Sequence, residues 1–394
     1  MKTKIVLIGI ILFLKFSFII SQNNISEVLQ SIEKKNSTLI ALRKSAEAQM
    51  LKNKSGIYLS NPEIEFGYLW GKPKLIGNRT DFSAMQTFDI PTISGMKNRL
   101  ANKQNASVEM LLKAERVNIL LDAKQLCLDL IYYNSILDEL DKRLSHATRI
   151  ADIYEKRLSE GDANMLDVNK AQLNLLNAQA ELQRMEVERN AVLSKLIQLN
   201  GGENISLNDK HFEAILLPPS FEEWYAHAEQ INPILSFVRQ EVEVSKDFVR
   251  MSKAKRLPTF SAGFVSEKIV GETFQGIQVG ITIPLWENKN QVAHAKALVN
   301  AAEARRVDGI QKFYIEVKNQ YSRAIGLNEI AQNYRKLLNS SNSADLLQKA
   351  LDAGEISLLN YFTEIALYYN TVNLALEAER DFQKSVAELL AVEL

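Results

Sequence analysis

The nitrogen and sulfur donors that most often mark a metal or nucleophile site are few in this chain of 394 residues: Cys127 and the histidines at 146, 211, 227 and 294. Metal sites draw ligands from close pairs on one element, and these four histidines form none. A single cysteine excludes an intramolecular disulfide framework and a multi-cysteine zinc site. Cys127 lies on an apolar helical stretch, where a thiol is most simply a small buried hydrophobe. No phosphate loop, nucleophile elbow or paired-acid motif stands out, so the sequence predicts no catalytic residue, no cofactor, no metal and no enzyme. Lys+Arg and Asp+Glu balance at 47 each. Loss of Lys2, Lys4 and Lys15 with a leader would leave the remainder slightly acidic, which argues against a nucleic-acid partner.

What the spacing does offer is a pair of glycine-centred turns between long apolar-periodic segments. Leu158, Gly161, Leu166 and Asp167 surround the first, and Leu351, Gly354, Leu359 and Asn360 the second. Glycine there supplies the permissive backbone that ends a helix. The turns need long elements to carry them, and the composition provides for these. Length alone suggests two or three ordinary domains, but 16 Gly and 8 Pro leave few turn formers to punctuate them.

The chain is two copies of one unit. At an offset of about 193 residues, Ile90-Pro91 falls on Ile283-Pro284, Gly161 on Gly354, Leu166-Asp167 on Leu359-Asn360, and Glu186 on Glu379. Asn61-Pro62 answers Leu257-Pro258 at an offset of about 196. The first repeat is read as 22–200, with a helix, a β-hairpin over 62–90 and a helical hairpin over 94–200. Residues 201–221 form a Gly/Pro-bounded connector. The second repeat is 222–394, with a helix, a β-hairpin over 258–284 and a helical hairpin over 287–392.

Heptads specify the helical hairpins. Leu112, Ile119, Leu126, Tyr133, Leu140, Ala147 and Tyr154 repeat every seven residues, with Ala123, Leu130, Leu137, Leu144, Ala151 and Leu158 four on. The return segment carries two apolar stripes, one through Leu175 and Leu182 and one through Leu166 and Leu173, so it has two helical neighbours. An unbroken helix from Ser94 to Leu158 would extend about 97 Å. A soluble helical bundle or rod would show the same heptads.

The strands decide between these architectures. Ile64, Phe66, Tyr68 and Trp70 alternate with Glu63, Glu65, Gly67 and Leu69, and Ile277, Val279, Ile281 and Ile283 with Gly276, Gln278, Gly280 and Thr282. Phe82 to Ile90 and Phe260 to Phe264 complete the two pairs, with polar loops at Lys72 to Thr80 and Ser266 to Thr273. About ten residues per strand suits a tilted bilayer span, and aromatic residues cluster near the strand ends. The competing reading is two soluble hairpins packing an apolar face on helices. In a membrane, four strands leave two open edges, which hydrocarbon does not tolerate, so several copies must pool their strands.

At the N-terminus, a basic Met1-Lys2-Thr3-Lys4, an apolar run from Ile5 to Leu14 and a small-residue exit at Ser21-Gln22 read as a secretory signal peptide over 1–21. A membrane anchor is the rival, but Lys15 interrupts a run already shorter than a spanning helix needs.

The chain resembles the TolC family of outer-membrane efflux proteins over nearly its whole mature length. The resemblance rests on the duplicated unit, on the strand exits Asp89-Ile90-Pro91 and Thr282-Ile283-Pro284-Leu285, and on the two turns. Tyr154 to Val168 is close to the family's Tyr-x-x-Gly…Leu-x-Asp-Val pattern. In the second turn Asn360 stands where that pattern has Asp, which weighs against an acidic constriction ring built from it.

The resemblance implies a mainly α fold with a membrane β part. Long antiparallel coiled-coil hairpins and four strands per chain would form a trimeric α-barrel and a shared 12-stranded β-barrel. It further implies a homotrimer in the outer membrane of a Gram-negative bacterium, with a periplasmic extension and surrounding outer-membrane lipid. Leu158, Gly161, Leu166, Asp167, Leu351, Gly354, Leu359 and Asn360 would sit at exposed tips near the closed aperture. There they would dock a periplasmic adaptor serving an inner-membrane pump, of the RND type in the heavy-metal and multidrug branch. The function implied is a passive gated conduit for efflux. A type I protein-secretion exit and a secreted structural coiled-coil protein are the alternatives.

Overall fold

The computed structural model describes residues 24–88, 91–340 and 343–394. The expected signal peptide and the strand exit at Asp89-Ile90 lie outside the described residues. The chain divides into two compact units. One comprises the described residues up to Ser37 with Leu120–Ile215 and Leu327–Lys384, and the other Thr38–Ile119, Leu216–Gly326 and Ser385–Leu394.

Each repeat opens on two helices where one was expected: α1 (Asn24–Lys35) and α2 (Ser37–Lys54), then α5 (Phe221–Ile231) and α6 (Pro233–Ala254). An asparagine makes each break. Asn232 Oδ1 caps α6 by accepting from the Leu235 N–H at 2.9 Å, with Pro233 at the first helical position. Asn36 turns its Nδ2 onto the Leu199 carbonyl at 2.8 Å.

The strands β1 (Glu63–Leu69), β2 (Arg79–Phe88), β3 (Thr259–Ile269) and β4 (Glu272–Thr282) form one antiparallel sheet in the order β1-β2-β3-β4. Pairing of β2 with β3 joins the two repeats, with Phe88 opposite Phe260 and Ala84 opposite Phe264. The second hairpin is tighter than expected. Val270 and Gly271, both at positive φ, form a two-residue turn, so the strands run through the segment read as a loop from Ser266 to Thr273. The outer edges of β1 and β4 have no partner strand among the described residues.

The long hairpins are α3 (Pro91–Glu160) with α4 (Met165–Leu199), and α7 (Gln291–Ser340) and α8 (Ser343–Asp352) with α9 (Leu358–Leu389). The rising limb of the second hairpin is described on either side of residues 341–342. In the first unit the heptad seam is core: Ala123, Leu130, Leu140, Ala147 and Ala151 are buried, and Cys127 with them. In the second unit, Trp224, Ala228, Val317 and Leu389 make one apolar cluster and Ile93, Met251 and Ala254 another.

The connector is an ordered strap. Gly201 and Gly202 close α4 at positive φ, and a Cβ on Gly201 would come 2.6 Å from the Lys35 carbonyl. Beyond them, Asn134 Nδ2 donates to the carbonyls of Leu207 (3.1 Å) and Asp209 (3.0 Å), and Gln383 Nε2 donates to that of Glu213 (2.7 Å).

Candidate functional site: an apolar sheet face and two helix turns

Register sorts the strand side chains into two faces. Residues directly opposite one another share a face, so the rows Ile64–Ala84–Phe264–Ile277 and Phe88–Phe260–Ile281 stand on the same side, with Phe66 and Phe82 paired beside them. This apolar face is uncovered: Phe66 is 71% and Ile277 85% exposed. Two soluble hairpins packed on helices would bury these residues first, so that reading is overturned.

The opposite face is more polar, with Glu65, Arg79, Asp81 and Glu267 standing among Val265 and Phe274. It carries an open groove of about 850 Å³ lined in part by Glu65, Arg79, Asp81, Ser83 and Glu267. Arg79 Nε lies 2.7 Å from Asp81 and 3.1 Å from Glu267, so its charge is matched within the groove. One apolar face and one more polar face is the pattern of strands that face lipid on one side and water on the other.

The two helix turns share one construction. At the first, the Gly161 N–H donates to Leu158 O (3.1 Å) and Asp162 to Arg157 O (2.8 Å); at the second, Gly354 donates to Leu351 O (3.1 Å) and Glu355 to Ala350 O (2.9 Å). Both are the paired bonds of a glycine-closed helix end, with Gly161 at φ 82° and Gly354 at φ 73°. A cap then opens each return helix. Asn164 Oδ1 accepts from the Asp167 N–H at 2.9 Å while Asn164 Nδ2 donates to Asp167 Oδ2 at 2.8 Å. Ser357 Oγ accepts from the Asn360 N–H at 3.2 Å. Asp167 and Asn360 therefore hold the same position, the third of a capped helix, and Lys170 contacts Asp167 at 3.2 Å.

The structure sorts the expected tip residues. Leu166 and Leu359 are exposed, the latter at 58%, whereas Leu158 is half-buried and Leu351, expected on an exposed tip, is buried at 5%. Leu351 belongs to a core made by both hairpins, with Ile150, Tyr154, Val168, Leu358, Tyr361 and Ile365. Burial raises the Tyr361 hydroxyl above its ordinary value, and that hydroxyl lies 3.3 Å from Gln348 Oε1. The exposed Met165 joins the outward residues and was not singled out by sequence.

Sequence reasoning also missed the polar seam behind these turns. The Arg143 guanidinium, buried between α3 and α9, donates to the Tyr369 carbonyl (3.2 Å) and to Asn373 Oδ1 (2.8 Å), and His146 Nδ1 lies 3.3 Å from the Tyr369 hydroxyl. Glu139, 3.6 Å away, is its carboxylate. An arginine lying between the heptad positions carries no local signal of such partners. Cys127 is buried, and burial pushes its thiol up to about 12. Among the described residues no three of His, Cys, Asp and Glu gather as a metal site, and no helix is long and apolar enough to cross a membrane.

No protein-family model matches the sequence, and no curated protein matches it. Solved structures do match. A membrane protein from Pseudomonas aeruginosa is 15% identical with a TM-score of 0.77, covering 94% of this chain and 92% of that one. The CmeC outer membrane channel of Campylobacter jejuni is 14% identical with a TM-score of 0.72, covering 94% and 85%. CusC, whose structures concern transmembrane channel formation, is 14% identical with a TM-score of 0.76, covering 94% and 92%. The chain has the fold of these membrane proteins, and it is the fold that the resemblance to the TolC family implies.

Proposed function

We propose that this chain is the outer-membrane channel of a tripartite efflux system. It would act as a passive, gated conduit that carries substrates from an inner-membrane pump, through a periplasmic adaptor, across the outer membrane. The observation that carries this reading is the uncovered apolar face of a four-stranded sheet with two open edges. Such a sheet is stable in hydrocarbon only when it closes, and three copies supply the 12 strands of a barrel. The polar opposite face would then line the water-filled lumen. Likeness to outer-membrane channels supports the same reading.

The exposed Leu166, Leu359 and Met165 beside the turns are the surface offered to the adaptor, and opening requires the two hairpins to part. Energy for transport would come from the pump, for which the resemblance suggests the RND type. A secreted coiled-coil protein would leave the sheet's apolar face in water, which costs too much to be retained.

The test is the mass of the detergent-extracted protein by light scattering after membrane and soluble fractions are separated. A membrane-fraction species of three protomers is expected. A soluble monomer or dimer overturns the proposal.

A further inference from the structure

All four strands meet helical or irregular chain at one end of the sheet, where β1 begins, β2 ends, β3 begins and β4 ends. The segments flanking that rim carry exposed apolar side chains, among them Tyr58, Leu257 and, at 81%, Trp286. They also carry exposed cations: Lys52 and Lys54 in the last turn of α2, Lys253, Lys255 and Arg256 at the end of α6, and Lys289 after β4. None of these six makes an ion pair among the described residues. The exposed carboxylates beside them among the described residues are Glu63 and Glu287.

The rim is also built. Asn288 Nδ2 donates to the Lys255 carbonyl at 2.6 Å, which pins the β4 exit against the end of α6. A cleft of about 260 Å³ opens there, lined in part by Lys97, Lys255, Thr259 and Asn288, with Glu287 also at its wall. At the hairpin end of the sheet the charges are fewer and mixed: Arg79 is paired with Asp81 and Glu267, while Lys72 and Lys268 are exposed cations and Glu272 an exposed carboxylate.

We propose that this rim is a collar for anionic phospholipid headgroups in the leaflet facing the helices, with the unpaired cations meeting phosphate and Trp286, Tyr58 and Leu257 seated at the interface. The proposal rests on the membrane reading above. Aromatic side chains partition to the headgroup level, and cations there gain from an anionic surface. Charge complementarity selects the occupant: six exposed cations without an ion pair stand at this rim beside Glu63 and Glu287, more than Lys72 and Lys268 supply at the hairpin end, which favours a negative lipid on this side.

The experiment reconstitutes the full-length protein into vesicles of phosphatidylcholine alone and of phosphatidylcholine with phosphatidylglycerol. It then measures, by native mass spectrometry of the extracted protein, which lipid is retained. Phosphatidylglycerol should be retained about tenfold over phosphatidylcholine, with the preference falling at high salt. The combined variant Lys253→Gln, Lys255→Gln, Arg256→Gln should lose that preference, while Lys268→Gln at the hairpin end should keep it. A protein that inserts equally well but retains both lipids alike, or a triple variant with unchanged preference, overturns the collar and leaves the channel standing. A protein that enters neither vesicle overturns the channel reading and the collar together.

Discussion

The Arg143 guanidinium lies 4.3 Å above the ring of Tyr369 and donates to that same residue's carbonyl at 3.2 Å. One cation therefore grips both the side chain and the backbone of the facing helix. Arg143 is 5% exposed, so its contacts are made in low dielectric, where a cation–π pair and hydrogen bonds from a charge are strongest. Arg143→Ala leaves the Tyr369 carbonyl and Asn373 without this donor and should cost about 2–3 kcal/mol. Tyr369→Phe keeps the ring and loses only the hydroxyl facing His146, so it should cost under about 1 kcal/mol. Thermal unfolding reads both. If the hairpins gate the conduit, single-channel recordings of Arg143→Ala should also show a longer open time; an unchanged gate would confine the pair to packing.

The two glycine turns predict a small, equal and separable effect. A Cβ at Gly161 or Gly354 would meet nothing within 4 Å, so Gly→Ala at either position strains only a positive φ and should cost about 1 kcal/mol. Proline is different, because its fixed φ and missing N–H destroy the bond to Leu158 or Leu351. Gly161→Pro and Gly354→Pro should abolish export while the membrane-inserted oligomer persists. Full export in both proline variants would remove the turns from the mechanism.

Leu351 and Leu359 separate packing from docking. Leu351→Asp places a carboxylate in an apolar core and should destabilise the fold by more than about 3 kcal/mol. Leu166→Asp and Leu359→Asp alter exposed residues and should stay within about 0.5 kcal/mol of the parent. Binding to an adaptor hairpin, measured by calorimetry or cross-linking, should nevertheless fall tenfold or more in the exposed pair. Normal adaptor binding with those two substitutions would move the docking surface elsewhere.

How far the sequence reached depends on how local each signal was. Strand alternation from Ile64 to Trp70 and the glycines at 161 and 354 were legible because a period of two and a positive φ are properties of the segment itself. The inward turn of Leu351 was not, because heptads on a helix with two neighbours name apolar positions without saying which neighbour each one meets. Asn232-Pro233 carries a local helix-break signal, a capping residue followed by proline at the first helical position. Arg143 was invisible for a third reason: a buried cation is tolerated only through partners some 226 residues away, and no local pattern encodes them.

Asp247 gives the fold a defined acid sensitivity. Its carboxylate is buried on α6, and burial alone would raise its ordinary value of 3.8. Lys103 at 3.0 Å, Arg99 at 3.0 Å and Arg250 at 2.6 Å outweigh that and hold it lower. A depressed folded value means that the stabilisation is complete above the unfolded value near 3.8 and is lost as pH falls through the folded one. Asp247→Asn should cost about 2 kcal/mol at pH 7, the exposure of Arg99 and Arg250 keeping the figure modest. Measured by chemical denaturation across pH, the gap between parent and variant should be constant from pH 7 to about 5 and should narrow below about 4. A gap that widens on acidification would contradict the ion-pair account.

Neighbouring residues on β4 discriminate lipid from water most directly. Val279 shares the apolar face with Ala262, and Gln278 points to the polar side opposite Gly263. Both are exposed in the single chain, so a soluble protein would accept arginine at either position with similar ease. In a barrel the two environments differ: a cation on the lipid face costs about 2–4 kcal/mol at the bilayer midplane, whereas on the lumen face it is solvated. Val279→Arg should therefore deplete the folded protein from outer-membrane fractions several-fold, and Gln278→Arg should leave its level unchanged while shifting ion selectivity of the pore. Equal levels of the two variants would mean that the apolar face of the sheet does not meet hydrocarbon.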